Sequence, residues 1–238
     1  MDHTRVSTTG FLPNIHTHAR KQLIQLGKQQ SWGKNEMIFH TNAPARNVYI
    51  LLSGRVKISQ LSSAGKEACL WFCFPGELFG LAEVLHSNRR KVHAQACCTT
   101  TAIVISEYDF KQHLIENPDI AMSVIDLLAD RLRLLSDSFT NLATEDVTGR
   151  LVNLLNRLGK IYGRKQPGYY FLDMPLTHQE IAEMIGTSRQ TVTTILNRLK
   201  RSKLITSEKH GLLIPETMSS DFENSNEQAL RQINRVAV

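Results

Sequence analysis

Residues 177–201 read Thr177-His178-Gln179-Glu180-Ile181-Ala182-Glu183-Met184-Ile185-Gly186-Thr187-Ser188-Arg189-Gln190-Thr191-Val192-Thr193-Thr194-Ile195-Leu196-Asn197-Arg198-Leu199-Lys200-Arg201. Thr177, followed three residues later by Glu180, is a capping box, and Ile181, Ala182 and Ile185 form a short apolar face that stops at Gly186. The pattern predicts a brief helix and a sharp turn. Ser188 is a good N-cap for a second helix, whose apolar residues Val192, Ile195, Leu196 and Leu199 recur at i, i+3, i+4 and i+7. On a helical wheel of about 100° per residue, Gln190, Thr194, Asn197 and Arg201 project from the opposite side, with Arg189 on the flank of the first turn. That outer side is polar and carries no acid.

Two short helices joined by a Gly-containing turn, with Arg and Gln at the start of the second, match the arrangement in which a second helix reaches base edges in the major groove. Arg can fork onto guanine O6 and N7, and Gln can do the same for adenine N6 and N7. The bland alternative is a surface helical hairpin with a solvated face. Charge favours the DNA reading, because the net +6 of the 238 residues is concentrated locally. Residues 147–218 hold eleven Lys and Arg against five Asp and Glu, whereas 1–146 hold fifteen against fourteen and 219–238 two against three. A basic excess confined to this segment suits a polyanionic partner. Just downstream, Ile205-Thr206-Ser207 and Leu212-Leu213-Ile214 flank Lys209-His210-Gly211 and read as a hairpin, which would form a wing.

Upstream, from Gly33 to about Ser106, short β-branched or aromatic runs alternate with turns. The expected strands are 37–39, 47–52, 55–61, 68–74, 92–98 and 101–105, with turn signals at Gly54, Gly65 and Gly76. Evenly spaced glycine turns between short strands indicate a rolled antiparallel sheet. At Asn117-Pro118 the pattern changes to one long helix, with Ile120, Val124, Leu127, Leu128, Leu132, Leu135, Phe139 and Leu142 on a stripe. About 25 residues span roughly 37 Å, longer than one small core requires, so a face of this helix is expected to pack on a partner helix, the alternative being a solvated connector or a long core helix. A further helix runs from Asp146 through Leu158, residues 163–168 read as a loop, and Tyr169–Met174 as a strand. The last twenty residues are polar, with a short helix expected from Asn226 to Val236. The expected division is 1–116 sensor, 117–146 dimerisation helix and hinge, 147–218 winged helix-turn-helix and 219–238 tail.

No apolar run approaches the ~18 to 20 residues needed to cross a bilayer, and Met1–Phe11 lacks the pattern of a secretory signal, so a cytoplasmic location is expected. Cys69, Cys73, Cys97 and Cys98 do not suggest a disulfide framework. Cys69, Trp71 and Cys73 are expected on one strand face, with Cys97 and Cys98 on opposite faces. Burial as small hydrophobes is the commoner fate of such thiols, against a redox or metal role. His16-Thr17-His18 reads as a solvated loop before a metal site.

Taken together, the glycine turns, the Glu116-Asn117-Pro118-Asp119-Ile120 helix start, the Asp146-Val147-Thr148-Gly149-Arg150-Leu151 hinge and the winged helix-turn-helix resemble the bacterial superfamily of the cyclic-AMP receptor protein and the fumarate-nitrate regulator. The resemblance covers about residues 20–216. It implies an α+β chain: an N-terminal β-roll of the cyclic-nucleotide-binding type, a long dimerisation helix, and a C-terminal DNA-binding domain. The stretches 176–182 and 188–193 also resemble the nitrogen-control and carbon-monoxide-sensing branches. By this resemblance Arg189 and Gln190 take the two base-reading positions, and Thr194 stands where the cyclic-AMP receptor has a further arginine. Gln190 replaces an acid, which implies a palindrome with an altered half-site. Gln179, Ser188 and Thr191 match phosphate-contacting positions, and Thr177 and Asn197 complete the expected DNA face.

The sensor half departs further from the family. The expected effector pocket comprises Gly80, Leu81, Ala82, Arg90, Lys91, Leu135 and Ser136. With Gly76-Glu77-Leu78-Phe79-Gly80 aligned with the preceding turn of the family, Leu81 stands at the acid for the ribose, Arg90 matches the phosphate-binding arginine, Lys91 replaces a serine, Leu135 replaces a threonine and Ser136 matches a serine. Aligning Gly76-Glu77-Leu78 with the family's Gly-Glu-Leu restores the acid but leaves Arg90 several residues too far downstream. A pocket missing these polar partners disfavours cyclic AMP. The cysteine-free N-terminal segment does not support an iron-sulfur cluster of the fumarate-nitrate type. Haem through His86, His93 or a cysteine stays open, and the effector is unknown. The combined expectation is a non-enzymatic, DNA-binding homodimer on a palindromic operator, controlled by a small molecule, gas or redox signal, with RNA polymerase as a further partner if it activates. The alternatives are a constitutively active regulator whose pocket its own side chains fill, and a cupin-type metalloenzyme, for which the strands offer only His93.

Overall fold

The structure is a computed structural model that describes residues 17–63, 65, 67–86, 89–173, 176–208 and 211–218. The tail helix expected at 226–236 lies outside the described residues, as do His16, Lys209 and His210. The chain divides into two compact units, 1–135 and 136–238.

The first unit opens with α1 (Thr17–Leu26), so Thr17 and His18 are helical and not in a loop. Eight strands follow: β1 (Lys28–Trp32), β2 (Met37–Phe39), β3 (Asn47–Ser53), β4 (Val56–Leu61), β5 (Glu67–Cys73), β6 (Leu78–Phe79), β7 (His93–Ala96) and β8 (Thr100–Ser106), with α2 (Leu81–His86) between β6 and β7. They form two antiparallel four-stranded sheets of order β1-β8-β3-β6 and β2-β7-β4-β5. The expected glycines do turn the chain: Gly54, Gly65 and Gly76 all have positive φ, at 88°, 74° and 91°. An L-side chain at these positions would be strained.

Alternation along β3 separates two cores. Val48 and Ile50 pack with Ile103, Ile105, Phe110, Ile120 and Val124, toward the helices. Tyr49 and Leu51 pack with Trp32, Phe39, Val56, Ile58 and Phe79, inside the roll. Because β3 and β8 are buried on both faces, their sequences read as continuous apolar runs.

Two strands differ from expectation. β7 ends at Ala96, and Cys97 and Cys98 lie in the bend before β8, not in a strand. Cys97 N–H donates to Arg55 O at 2.8 Å, which draws the chain off the ladder. On β5 the register with β4 slips, Ile58 facing Trp71 and Ser59 facing Cys69. Leu70 is therefore a bulge residue, and it breaks the alternation expected from Cys69 to Cys73. Cys73 is fully buried, and burial pushes its thiol up to about 12.

Residues 107–116 form α3 (Glu107–Glu116), followed by α4 (Pro118–Thr144), 27 residues long. Its apolar residues fall into two stripes instead of one. Ile120, Val124 and Leu127 pack into the core of the first unit. Ile125, Leu128, Leu132, Leu135, Phe139 and Leu142 are exposed, Leu132 at 70 % and Phe139 at 75 %. Arg131, on α4, pairs with the buried Glu77 and lies 5.5 Å from the Trp71 ring centroid.

The second unit contains α5 (Val147–Tyr162), β9 (Arg164–Gln166), β10 (Tyr169–Leu172), α6 (His178–Ile185), α7 (Arg189–Arg201), β11 (Thr206–Glu208) and β12 (Gly211–Pro215). Residues 164–166 are a strand, not part of a loop. Pro167 and Gly168, the latter at φ 78°, reverse the chain tightly enough for β9 to pair with β10. The wing hairpin is present, Thr206 facing Leu213 and Glu208 facing Gly211. No helix among the described residues is long and apolar enough to cross a membrane.

Candidate nucleic-acid interface

Thr177 caps α6 through its side-chain oxygen, which accepts from Glu180 N–H at 3.1 Å, while the Glu180 carboxylate accepts from Thr177 N–H at 2.7 Å. The capping box thus satisfies two donors that a helix start would leave orphaned. Gly186 ends α6 at φ 67°, ψ 51°, a left-handed conformation that glycine adopts without a Cβ penalty. Two residues later Ser188 caps α7, accepting from Thr191 N–H at 3.1 Å.

Val192, Ile195, Leu196 and Leu199 are buried, and burial of each such side chain contributes about 1.5 to 3 kcal/mol. That inner face fixes which residues point out. Arg189, Gln190, Thr194, Asn197 and Arg201 are exposed, with no acid on the helix. Thr194 donates its hydroxyl to Gln190 O at 3.1 Å, and Ser188 and Thr191 share a hydroxyl contact of 2.8 Å. Gln179 is exposed and donates to Glu183 at 3.0 Å. Thr177 is exposed as a residue, yet its hydroxyl is held by Glu180 at 2.9 Å. The eight residues expected at the DNA face therefore lie on two adjoining elements, the start of α6 and the outer side of α7.

Sequence reading missed three side chains that brace this surface. Arg198 donates to Thr148 Oγ1 at 2.7 Å and so ties α7 to α5. Arg150 donates through Nε to Ile185 O and through a terminal nitrogen to Glu145 O, both at 2.9 Å. The Nδ1 of His178 contacts Thr193 Oγ1 at 2.7 Å, joining the start of α6 to the middle of α7. None of these pairs follows from periodicity; Arg198–Thr148, Arg150–Ile185 and His178–Thr193 join residues distant in sequence.

In the first unit, Gly80 and Arg90 meet directly. Arg90 is 1 % exposed and donates to Gly80 O at 2.8 Å and to Asn47 O, with Glu83 at 3.5 Å. Its Cζ sits 4.1 Å from the Phe39 ring centroid. Leu81 is buried in the core, Ala82 and Lys91 are exposed, and Lys91 N–H donates to Glu83 at 3.2 Å. Leu135 and Ser136 lie on an exposed turn of α4. His86 ends α2, and His93 accepts from Thr41 N–H at 3.3 Å.

Leu81 offers no acceptor for a ribose hydroxyl, and both terminal nitrogens of Arg90 already serve backbone carbonyls.

A β-roll followed by a winged helix-turn-helix with an acid-free recognition helix defines a DNA-binding regulator. Residues 29–117 match the cyclic nucleotide-binding domain model, and residues 149–217 match the Crp-like helix-turn-helix domain model. The chain is 32 % identical to the global nitrogen regulator of Nostoc sp., over 81 % of this chain and 88 % of that protein. It is 33 % identical to the cAMP-activated global transcriptional regulator CRP of Pasteurella multocida, over 86 % and 91 %. Among solved structures it resembles a CooA mutant from Carboxydothermus hydrogenoformans, with TM-score 0.72, 26 % identity and coverage of 93 % and 98 %. FixK2 from Bradyrhizobium japonicum, at 20 % identity, shares the fold with TM-score 0.71 over 83 % and 96 %. The chain belongs to the CRP/FNR family of transcription regulators.

Proposed function

We propose that the chain acts as a homodimer that places two copies of α7 in successive major grooves of a palindromic operator. One observation carries this reading: α7 buries its whole apolar face and leaves Arg189, Gln190, Thr194, Asn197 and Arg201 unburied, on the most basic part of the chain. Arg189 and Gln190 read bases, Thr194 and Asn197 border them, and Gln179, Ser188, Thr191 and Thr177 approach the sugar-phosphate backbone.

The dimer seam is the exposed stripe of α4. Its steps from Ile125 to Leu142 alternate three and four, the spacing of coiled-coil a and d positions, with Leu at every d position. A two-fold axis along such a seam gives two equivalent readers, and half-sites about 34 Å apart then face the same side of the duplex. The cytoplasm is its place of action, and RNA polymerase is its partner wherever it activates. Selection of bound sequences from a random DNA pool tests the reading. Enrichment of a palindrome with half-site centres about 10 bp apart is expected. No enrichment at low salt rejects it.

Regulation through the β-roll is the first form of this proposal, with an effector that shifts the population of α4 arrangements. The closure of Arg90 by Gly80, Asn47 and Glu83 favours a second form, a regulator active without ligand. Operator affinity of the ligand-free chain, measured before and after addition of cell extract, separates the two forms.

A further inference from the structure

His178 has a proton inventory that the fold itself determines. Thr193 donates its single hydroxyl hydrogen to Arg189 O at 2.9 Å, because a carbonyl only accepts. The 2.7 Å contact between Thr193 Oγ1 and His178 Nδ1 therefore takes its hydrogen from the imidazole. With the Thr193 hydrogen on Arg189 O, neutral His178 is the Nδ1–H tautomer and carries its lone pair on Nε2. Protonation leaves the Thr193 bond untouched and turns Nε2 into a donor.

We propose that His178 couples DNA binding to proton uptake: its Nδ1–H holds α7 through Thr193, and protonation at Nε2 adds a cation to the DNA-facing surface beside Arg189 and Lys200. The inference rests on the DNA reading above. In the free chain burial, followed by the charges of Lys200 and Arg189, holds the imidazole below its ordinary value of 6.5. The groups around it explain why a polyanion offsets the part of this that comes from charge. Facing it from α7 are the cations Arg189 and Lys200; on its own helix Glu180 is committed to the cap and Glu183 to Gln179; α5 contributes Arg150 at the far end, on Ile185 O. DNA phosphates neutralise the α7 cations and favour the imidazolium, so the bound state takes up a proton. Affinity then rises as pH falls through the imidazole range and is flat well above it.

Operator affinity of the full chain, measured from about pH 8 to about pH 6, is the test. Each unit by which DNA raises the imidazole pKa gives about tenfold tighter binding per protomer at the acid end. The salt dependence should also steepen there, by up to about one released counterion per protomer. His178→Asn keeps an amide donor where Nδ1 lies and cannot titrate; whatever its affinity at the alkaline end, its profile should lose the rise toward acid pH. A rise of equal size in His178→Asn, or a flat native profile in a chain that binds its operator, overturns the coupling alone. Absence of duplex binding at every pH overturns it together with the DNA reading. Nitrogen chemical shifts of the free chain supply a check independent of DNA: Nδ1–H is expected, and Thr193→Val should release the ring to the Nε2–H form. An Nε2–H tautomer in the native chain overturns the proposal.

Discussion

The two arginines expected to meet ligands, Arg189 and Arg90, are treated in opposite ways by the fold. Arg189 is exposed at the first turn of α7, whereas Arg90 is 1 % exposed and spends both terminal nitrogens on Gly80, Asn47 and Glu83. A guanidinium held by backbone carbonyls stabilises its own domain; one left in solvent keeps its fork for an outside partner. The guanidinium of the second unit is open to solvent and that of the first is enclosed.

The comparison can be broken most forcefully at Arg90. Arg90→Met keeps most of the volume but removes the cation beside the buried Glu83 and the donors to two carbonyls, and should cost the first unit ~3 to 5 kcal/mol in denaturant unfolding. A loss under ~1 kcal/mol would mean that Arg90 is not a structural cation. Next in size is the seam: Leu132→Asp should yield a folded monomer by sedimentation and weaken operator binding about 100-fold, or ~2.8 kcal/mol. A dimer with unchanged affinity would show that the α4 stripe serves something else. Arg189→Ala should leave stability alone and lose ~1 to 3 kcal/mol of discrimination at one guanine, while Lys200→Ala weakens all sequences alike. Equal losses on operator and random DNA would remove Arg189 from the base-reading set. The smallest effect belongs to Thr177→Ala, which removes half of the capping box and should lower stability by ~1 kcal/mol.

The features legible in the sequence are those set by near neighbours. The capping box, the Ser188 cap, the buried face of α7 and the three glycine turns each depend on residues a few positions apart, and the structure contains all of them. β1 was not legible, because Lys28-Gln29-Gln30-Ser31 is exposed and only Trp32 is buried, so no alternation marks it. β6 has two residues, too few for any period. The two stripes of α4 merge in sequence because a wide apolar arc has one period whether it faces one neighbour or two. The closure of Arg90 is invisible for a different reason: its acceptors at Gly80 and Asn47 are backbone oxygens, which every residue possesses. The His178 to Thr193 bond likewise joins two commonplace polar residues whose meeting depends on how α6 crosses α7.

Arg150 has a consequence that reaches past its own contacts. It grips the last carbonyl of α6 with one nitrogen and, with another, the carbonyl of Glu145 just beyond α4. Both contacts lie within the second unit, so Arg150 fixes the residues that follow α4 to the helix that precedes α7. One side chain therefore sets how firmly the residues after α4 are held to α6, with the outer side of α7 left as it is.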